Sequence, residues 1–178
     1  SYRSRPSQKS FIVNLGANYT SISPTALNGS IGDLNLSPTL TTQFETFSSI
    51  LSAELYAGLI LNPDMDLGAF VSYPGTQSRT AESTTAGGTT IDYTINMLAF
   101  GLKFNYQVYE AGSLGFYLTP SVGLGYFQFT ETDTPSTGTE TNYTAAAFGL
   151  FARGGAGAKY YFSDTIGTFF EVGYQYAK

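Results

Sequence analysis

The segments "GLKFNY" (residues 101–106) and "GAKYYF" (157–162) are decisive for the fold of this chain. In both, small or polar residues alternate with apolar ones, and a lysine, Lys103 or Lys159, stands third. Alternation with a period of two is typical of a β-strand whose two faces meet different surroundings. Each lysine therefore lies on the face that is opposite to the neighbouring aromatic side chains. The fold depends on which of these two faces is buried.

The composition of the chain limits its possible functions. Of the 178 residues only 12% are charged, whereas 14 are Tyr and 14 are Phe, and Cys, His and Trp are absent. The absence of Cys excludes a disulfide scaffold and thiolate metal sites, and the absence of His removes the most common general base and metal ligand. A net charge of −5 provides no basic surface for nucleic acid. So few charges would be a liability for a soluble protein, but they suit a protein whose outer surface faces lipid.

Period-two alternation recurs along most of the chain, and no segment has the period of an amphipathic helix. Within the segment 91–106, Ile91 and Ile95 have the opposite parity to Leu98. This change of parity predicts either a β-bulge near Asn96 or a strand whose first half, upstream of Asn96, protrudes beyond a membrane. In total we predict seven strands, at about 11–19, 51–61, 67–73, 91–106, 114–126, 148–162 and 166–176.

The connections between these strands alternate in length. Short connections near 62–66, 107–113 and 163–165 alternate with long polar ones, at about 22–47, 74–90 and 130–142. Long loops at one end and tight turns at the other are typical of an outer-membrane barrel. We therefore interpret residues 1–178 as one domain. Residues 1–9 form a basic tail that either contacts anionic lipid headgroups or is disordered, and because the chain begins without Met or a leader segment we interpret it as already processed.

The low charge and the many glycines favour apolar faces that meet lipid, with the lysines pointing into the lumen of a barrel. A barrel of eight strands is just wide enough inside for side chains or one small ligand. Charges buried there should pair, because an unpaired buried charge is very costly. We interpret such pairs as a structural plug that holds the register, or else as a gate whose pairs exchange. Asp66 and Asp92 are further candidates for a predicted lumenal network of two acids and three bases, Glu54, Lys103, Arg153, Lys159 and Glu171.

Aromatic residues lie near both ends of the predicted strands. Ordinary enrichment of strands in aromatic residues explains their number but not their position at both rims. Two rings of this kind match the aromatic girdles at the two interfaces of a membrane. We predict one girdle toward the long loops and one toward the short turns, formed respectively by Tyr19, Tyr73, Tyr126 and Tyr174, and by Phe104, Tyr106, Tyr160 and Phe162.

Together with the loop rhythm, three segments resemble the small eight-stranded bacterial outer-membrane barrels: "PSVGLGY" (120–126), "GLKFNY" (101–106) and "GAGAKYYFSDTIGTFFEVGYQY" (155–176). This group contains the transmembrane domain of outer-membrane protein A and outer-membrane protein X. The resemblance implies an all-β, antiparallel, up-and-down transmembrane β-barrel in the bacterial outer membrane. Such barrels usually have an even number of strands. Since we count seven, we hypothesise that a last loop and a closing eighth strand are absent from these residues.

We expect a non-enzymatic barrel that acts in envelope structure, in surface interaction or as part of a larger assembly. Enzymes on this scaffold resemble hydrolases and acyltransferases that rely on His, which this chain lacks. No cofactor is expected, and a weak calcium ion at a rim, at Asp64 with Asp66 or Glu131 with Asp133, is less favoured than solvated carboxylates.

The expected partners are the lipid bilayer, lipopolysaccharide and a protein at the loops or the barrel wall, and nucleic acid is not expected. Two alternatives stay open. The first is a narrow channel or transporter for ions or a small solute. The second is a soluble lipocalin-like binder, in which the apolar residues would line the cavity.

Overall fold

The computed structural model describes residues 11–23, 49–83, 89–135 and 138–177. The predicted N-terminal tail, 1–9, lies outside these residues. In the described ranges there is no helix that could span a membrane. The expectation of an all-β fold is confirmed. The strands are β1 (Phe11–Ser23), β2 (Ser49–Asn62), β3 (Met65–Tyr73), β4 (Thr76–Ser83), β5 (Thr89–Ala111), β6 (Leu114–Leu118), β7 (Ser121–Pro135), β8 (Thr141–Tyr161) and β9 (Ile166–Ala177).

All nine strands belong to one mixed sheet. β1 pairs with β2, and β2 pairs with β3. The long strand β5 lies between β3 and β4 on one side and β6 and β7 on the other. β8 then pairs with β6, β7 and β9. The expectation of a purely antiparallel sheet is wrong at one contact, because β1 and β9 run in the same direction, with Val13 beside Ile166.

One predicted strand, 114–126, is divided in two, and a further strand, β4, lies in the predicted loop 74–90, so the described residues form nine strands where seven were predicted. β3 and β4 follow one another along β5 and are separated by Pro74 and Gly75. Gly75 has a φ of 76°, which glycine adopts without steric strain. β6 and β7 follow one another along β5 and β8 and are separated by Thr119 and Pro120. Proline interrupts a strand because it has no N–H to donate to the ladder.

Two of the predicted long loops are mostly strand. The predicted loop 74–90 contains all of β4 and the start of β5. The predicted loop 130–142 contains the end of β7 and the start of β8. Both segments are rich in threonine, whose β-branched side chain favours strands. Of the third predicted loop, 22–47, the described residues include only Ile22 and Ser23, which belong to β1.

The β-bulge expected near Asn96 is not present in β5. β5 keeps one register with β7 from Thr89 to Lys103. The irregularity lies in the neighbouring strands, since the register with β5 changes by one residue across the junction of β3 and β4. As a result Ile95 is buried, whereas Leu98 lies on the opposite, exposed face.

The sheet has one exposed face and one buried face, and their chemistry is the reverse of that in a typical soluble protein. The exposed face is apolar: Leu15 and Leu102, for example, are 62% and 58% exposed. The buried face holds charged and polar side chains, among them Lys103, which is 1% exposed. The same face holds a core cluster of apolar and aromatic residues, formed by Ile12, Tyr56, Ile60, Phe70, Tyr117, Phe151 and Phe169.

Candidate functional site

Six charged side chains meet on the buried face, and their formal charges cancel. All five residues of the predicted network are among them, and Asp66 joins them. The three bases come from β5 and β8, and the three acids come from β2, β3 and β9. Each is exposed by 5% or less: Glu54, Asp66, Lys103, Arg153, Lys159 and Glu171. We call these six residues the charge network.

Lys103 lies at the centre of the larger of two clusters in this network. Its Nζ donates to Oε1 and Oε2 of Glu171 at 2.7 and 2.8 Å, and it also pairs with Glu54. Arg153 Nη2 donates to Oε2 of Glu54 at 2.8 Å and lies 3.7 Å from Oε2 of Glu171. Each of the two cations therefore contacts both carboxylates, so neither acid depends on a single partner.

Neutral side chains complete the hydrogen bonding of Glu171. The hydroxyl of Tyr117 donates to Oε1 at 2.6 Å, and Nδ2 of Asn18 donates to Oε2 at 2.9 Å. Hydrogen bonds to an ionised group are roughly twice as strong as neutral ones. Glu171 is therefore held from β1, β5, β6 and β8.

The smaller cluster surrounds Asp66. Lys159 Nζ donates to its Oδ2 at 3.1 Å, while Tyr56 OH and Asn105 Nδ2 both donate to its Oδ1 at 2.5 Å. Lys159 also lies 4.4 Å from the centre of the Tyr117 ring. Because Tyr117 contacts Glu171 through its hydroxyl and Lys159 through its ring, the two clusters are continuous.

Most ion pairs of the charge network join strands that are not neighbours in the sheet. Lys103 on β5 reaches β2 and β9, and Arg153 on β8 reaches β2. Lys159 on β8 reaches Asp66 on β3. None of these strand pairs shares a backbone ladder in the described sheet. The pairs therefore cross the space that the buried face encloses.

Aromatic rings and glycines shape the space around these charges. The Nζ of Lys103 lies 4.7 Å from the centre of the Phe169 ring, within the range of a cation–π contact. Gly68 is the cross-strand partner of Lys103, and Gly115 is that of Lys159. A Cβ at Gly157 would lie 2.7 Å from the hydroxyl of Tyr117. Long charged side chains thus have glycine neighbours on the same face.

The sequence did not identify Asn18, Tyr56, Asn105 and Tyr117 as parts of this site, although each shares the strand parity of the charged residues. Asp92 was expected nearby. It lies instead opposite Thr132 of β7, in the upper part of β5, and has the parity of the exposed face. Its placement follows from the unbroken register of β5.

The predicted girdle residues lie on the exposed face. Two of them, Tyr126 and Phe104, are half-buried. Tyr126 packs against Phe148 with 5.1 Å between ring centres, and Tyr160 packs against Phe162 with 5.4 Å. The remaining six are exposed: Tyr19, Tyr73, Tyr106, Tyr160, Phe162 and Tyr174.

A small cavity lies beside Arg153, on the side away from the short turns. Its volume is about 30 Å³, and Thr20, Ser52 and Ser72 contribute to its lining. Its lining is more apolar than polar, and a cavity of this size has room for at most about one or two water molecules. Arg153 Nε and Ser121 Oγ are buried and have no hydrogen-bond partner among the described residues. Arg153 is among the residues that line this cavity, which has no room for a larger ligand.

The described residues contain no group of three or more acidic side chains placed to hold a metal ion. Asp66, one of the calcium candidates, is buried against Lys159, whereas Asp64 is exposed in the turn between β2 and β3. The chain was compared with protein-family models, curated proteins and solved structures, and nothing matches.

Proposed function

We propose that the sheet closes into a barrel that spans a bacterial outer membrane, with the charge network as a plug inside it. The barrel would act in envelope structure or in surface interaction and would carry out no catalysis. The observation that carries this proposal is the reversal of the two faces. Exposed leucines such as Leu102 are stable against acyl chains, and buried ions such as Lys103 are stable only when they are paired.

The pairing register supports closure. One circuit of cross-strand partners starts at Ile12 of β1 and returns to the same strand at Ile22, ten residues further on, by way of Gly58, Gly68, Lys103, Ser121, Arg153 and Gln175. A displacement of this kind is the stagger that the tilted strands of a barrel require. Ion pairs between strands that are not neighbours also require walls that face one another.

The height of the apolar band supports a membrane surrounding. On the exposed face of β8, small and apolar residues alternate with the buried set from Phe148 to Tyr160. The twelve residue-to-residue steps from Phe148 to Tyr160, at about 3.3 Å each and a tilt of about 45°, span about 28 Å along the membrane normal. The apolar band of an outer-membrane barrel is about 25 Å tall, so the band fits.

The chemistry of the exposed face changes above this band. Leu98, Tyr126 and Phe148 form one cross-strand row. Further up, most residues of the same face are polar, and Thr130 lies opposite Thr144 with 3.4 Å between their hydroxyl oxygens. A change from aromatic to polar side chains is what an interface with water would select. The upper parts of β4, β5, β7 and β8 would therefore project outside the membrane.

A narrow channel is the second candidate. It is favoured by the cavity at Arg153 and by buried polar atoms that lack a partner in the described ranges, such as Ser121 Oγ. A soluble binder lined by apolar residues is not favoured, because the buried face carries the six charges. The plug is preferred to the channel, since every charged side chain of the network has an opposite charge in contact.

Fractionation and site-specific labelling test the proposal. The expressed protein should pellet with the envelope and migrate faster on gels when it is not heated. The chain has no native Cys, so a fluorophore on Leu102→Cys should be quenched by brominated lipid. The same label on Thr139→Cys, which is exposed outside the apolar band, should be quenched by a water-soluble agent instead. A protein that stays dispersed without detergent, or a Leu102→Cys label that only the water-soluble agent quenches, would contradict membrane insertion.

A further inference from the structure

Four buried polar atoms on one wall of the interior have no hydrogen-bond partner among the residues that the structure describes. Each belongs to a side chain that is exposed by 5% or less: Asn105 Oδ1, Thr119 Oγ1, Ser121 Oγ and Arg153 Nε. Folded proteins pair nearly all of their buried polar atoms, either with protein groups or with ordered water. A set of four such atoms in one place therefore indicates a bound ligand. We call these four residues the wall group.

The sheet brings the wall group together. Ser121 lies opposite Arg153 of β8. Two residues earlier, Thr119 continues the same registers, so it lies between Asn105 of β5 and Gly155 of β8, and its N–H donates to the carbonyl of Gly155. Each member of the wall group has a described strand on both of its sides. The four atoms thus form one patch that described residues enclose within the sheet.

The hydrogen bonds that these residues already make determine which groups are left for a ligand. Asn105 Nδ2 donates to Asp66, which leaves Oδ1 as an acceptor. Arg153 Nη2 donates to Glu54, which leaves the Nε–H as a donor. The two hydroxyls of the wall group can each donate and accept. The wall group therefore offers donors and acceptors side by side.

This mixture of donors and acceptors suits water and not an ion. The six charges of the network cancel, so a bound ion would add an uncompensated charge to a buried space. A metal cation would be repelled by the guanidinium of Arg153, and an anion would receive no hydrogen bond from Asn105 Oδ1. Water both donates and accepts, and a buried water typically makes about three hydrogen bonds to groups of this kind. Gly155, which neighbours both Thr119 and Arg153 on this wall, has no side chain to occupy the space.

We propose that two ordered water molecules bind to the wall group. Thr119 and Ser121 are about 7 Å apart along the chain, so a single water cannot contact all four residues. One water would bridge Ser121 Oγ and Arg153 Nε, and the other would bridge Thr119 Oγ1 and Asn105 Oδ1. Because Arg153 belongs to the larger cluster of the charge network and Asn105 donates to the carboxylate of the smaller one, these waters extend both clusters onto one wall. This goes beyond the plug, which consists of side chains alone.

Removal of a hydroxyl tests the water at Ser121. Ser72 provides a matched control, since both serines are 4% exposed and the Ser72 hydroxyl donates to Ser52 at 2.9 Å. In urea titration, Ser121→Ala and Ser72→Ala should each raise the unfolding equilibrium constant about fivefold, the effect of one lost hydrogen bond. Removal of a hydroxyl that has no partner at all would cause no loss of stability. If Ser121→Ala is as stable as the native protein while Ser72→Ala is not, the proposal is wrong.

NMR detects the second water directly. In protein with isotope-labelled threonine methyl groups, the Thr119 methyl should show a nuclear Overhauser cross-peak to a long-lived water molecule. Thr168, whose hydroxyl donates to the carbonyl of Leu15 on the other face of the sheet, should show none. A folded protein without the Thr119 cross-peak would overturn the proposal. A Thr119 methyl signal that shifts on titration with sodium chloride would also overturn it, because an ion would then occupy the site.

The heat-dependent gel shift shows for each variant that the protein is folded. Both measurements concern the interior alone, so they are made in lipid nanodiscs or, if the protein does not insert, in buffer. A failure of membrane insertion is therefore distinguishable from a failure of the water proposal.

Discussion

Replacing Lys103 by Met should destabilise the protein strongly. The side chain is 1% exposed, and its Nζ contacts carboxylate oxygens of both Glu54 and Glu171. Without it the charge network has one more acid than bases, and Arg153 is the one cation of the network left in contact with Glu54 and Glu171. Removal of one partner from a buried ion pair costs about 3–5 kcal/mol. We expect a loss at the lower end of this range, because Arg153 already donates to Glu54 at 2.8 Å.

The free energy of unfolding is measured by urea titration in lipid vesicles, with the fraction of heat-shifted protein on gels as the signal. Two variants make the result specific to charge. Leu102→Met alters the neighbouring residue on the exposed face and should change the free energy by less than about 0.5 kcal/mol. Lys103→Met/Glu171→Gln restores neutrality, and Gln still accepts from Tyr117, so we expect it to recover more than half of the loss.

Two outcomes would refute this reasoning. If the free energy of unfolding of Lys103→Met is within about 1 kcal/mol of that of the native protein, Lys103 does not neutralise buried acids. If the double variant is no more stable than the single one, the loss arises from packing of the lysine side chain and not from an unpaired carboxylate.

Three further predictions concern the space inside the proposed barrel, its surroundings and its permeability. Gly157→Ala should lose about 1–3 kcal/mol of unfolding free energy, because its methyl group would meet Tyr117. Gly154→Ala should change the unfolding free energy little, because no atom lies within 4 Å of an added Cβ. Equal losses of the two variants in urea titration would contradict this. Leu102→Arg should lose about 2–4 kcal/mol in lipid vesicles and Thr144→Arg about 0–1, and equal effects would argue against a lipid-facing band. In planar bilayers the native protein should show no single-channel steps, whereas steps that Arg153→Gln reduces would favour the channel.

Strand parity identified the face of Glu54, Lys103, Arg153, Lys159 and Glu171 but not their partners. From "GLKFNY" alone, Lys103 belongs to the face opposite Leu102, and the structure places it there. Which acid it meets depends on the register of every strand between β5 and β9, because register sets the height of each side chain. Asp92 shows this limit. It was a candidate for the network, but the unbroken ladder of β5 with β7 gives it the parity of the other face.

The threonine-rich segments show a second limit. A run such as 130–142 has the polar composition of a loop and the β-branched residues of a strand, so local sequence does not separate the two. In the structure the segment is strand because it has cross-strand partners: Thr130 lies opposite Thr94 of β5 on one side and Thr144 of β8 on the other. Of these three residues, Thr130 lies in a predicted loop, Thr144 lies just after it and Thr94 lies in the predicted strand 91–106, so their pairing is not visible in any single segment.

The charge network can specify the register of the strands, which the backbone hydrogen bonds of the sheet do not. Ladder bonds join neighbours only, and a slip of one residue between two strands would preserve most of them while turning every side chain to the other face. Such a slip in β5 would turn Lys103 to the exposed apolar face and leave Glu54 and Glu171 with Arg153 alone. Lys103 and Arg153 each form ion pairs with residues of two other strands. A slip of one strand would therefore break several ion pairs as well as shifting one backbone ladder. The buried ions would therefore select the register, while the glycines beside them allow two lysines and an arginine to fit within so narrow an interior.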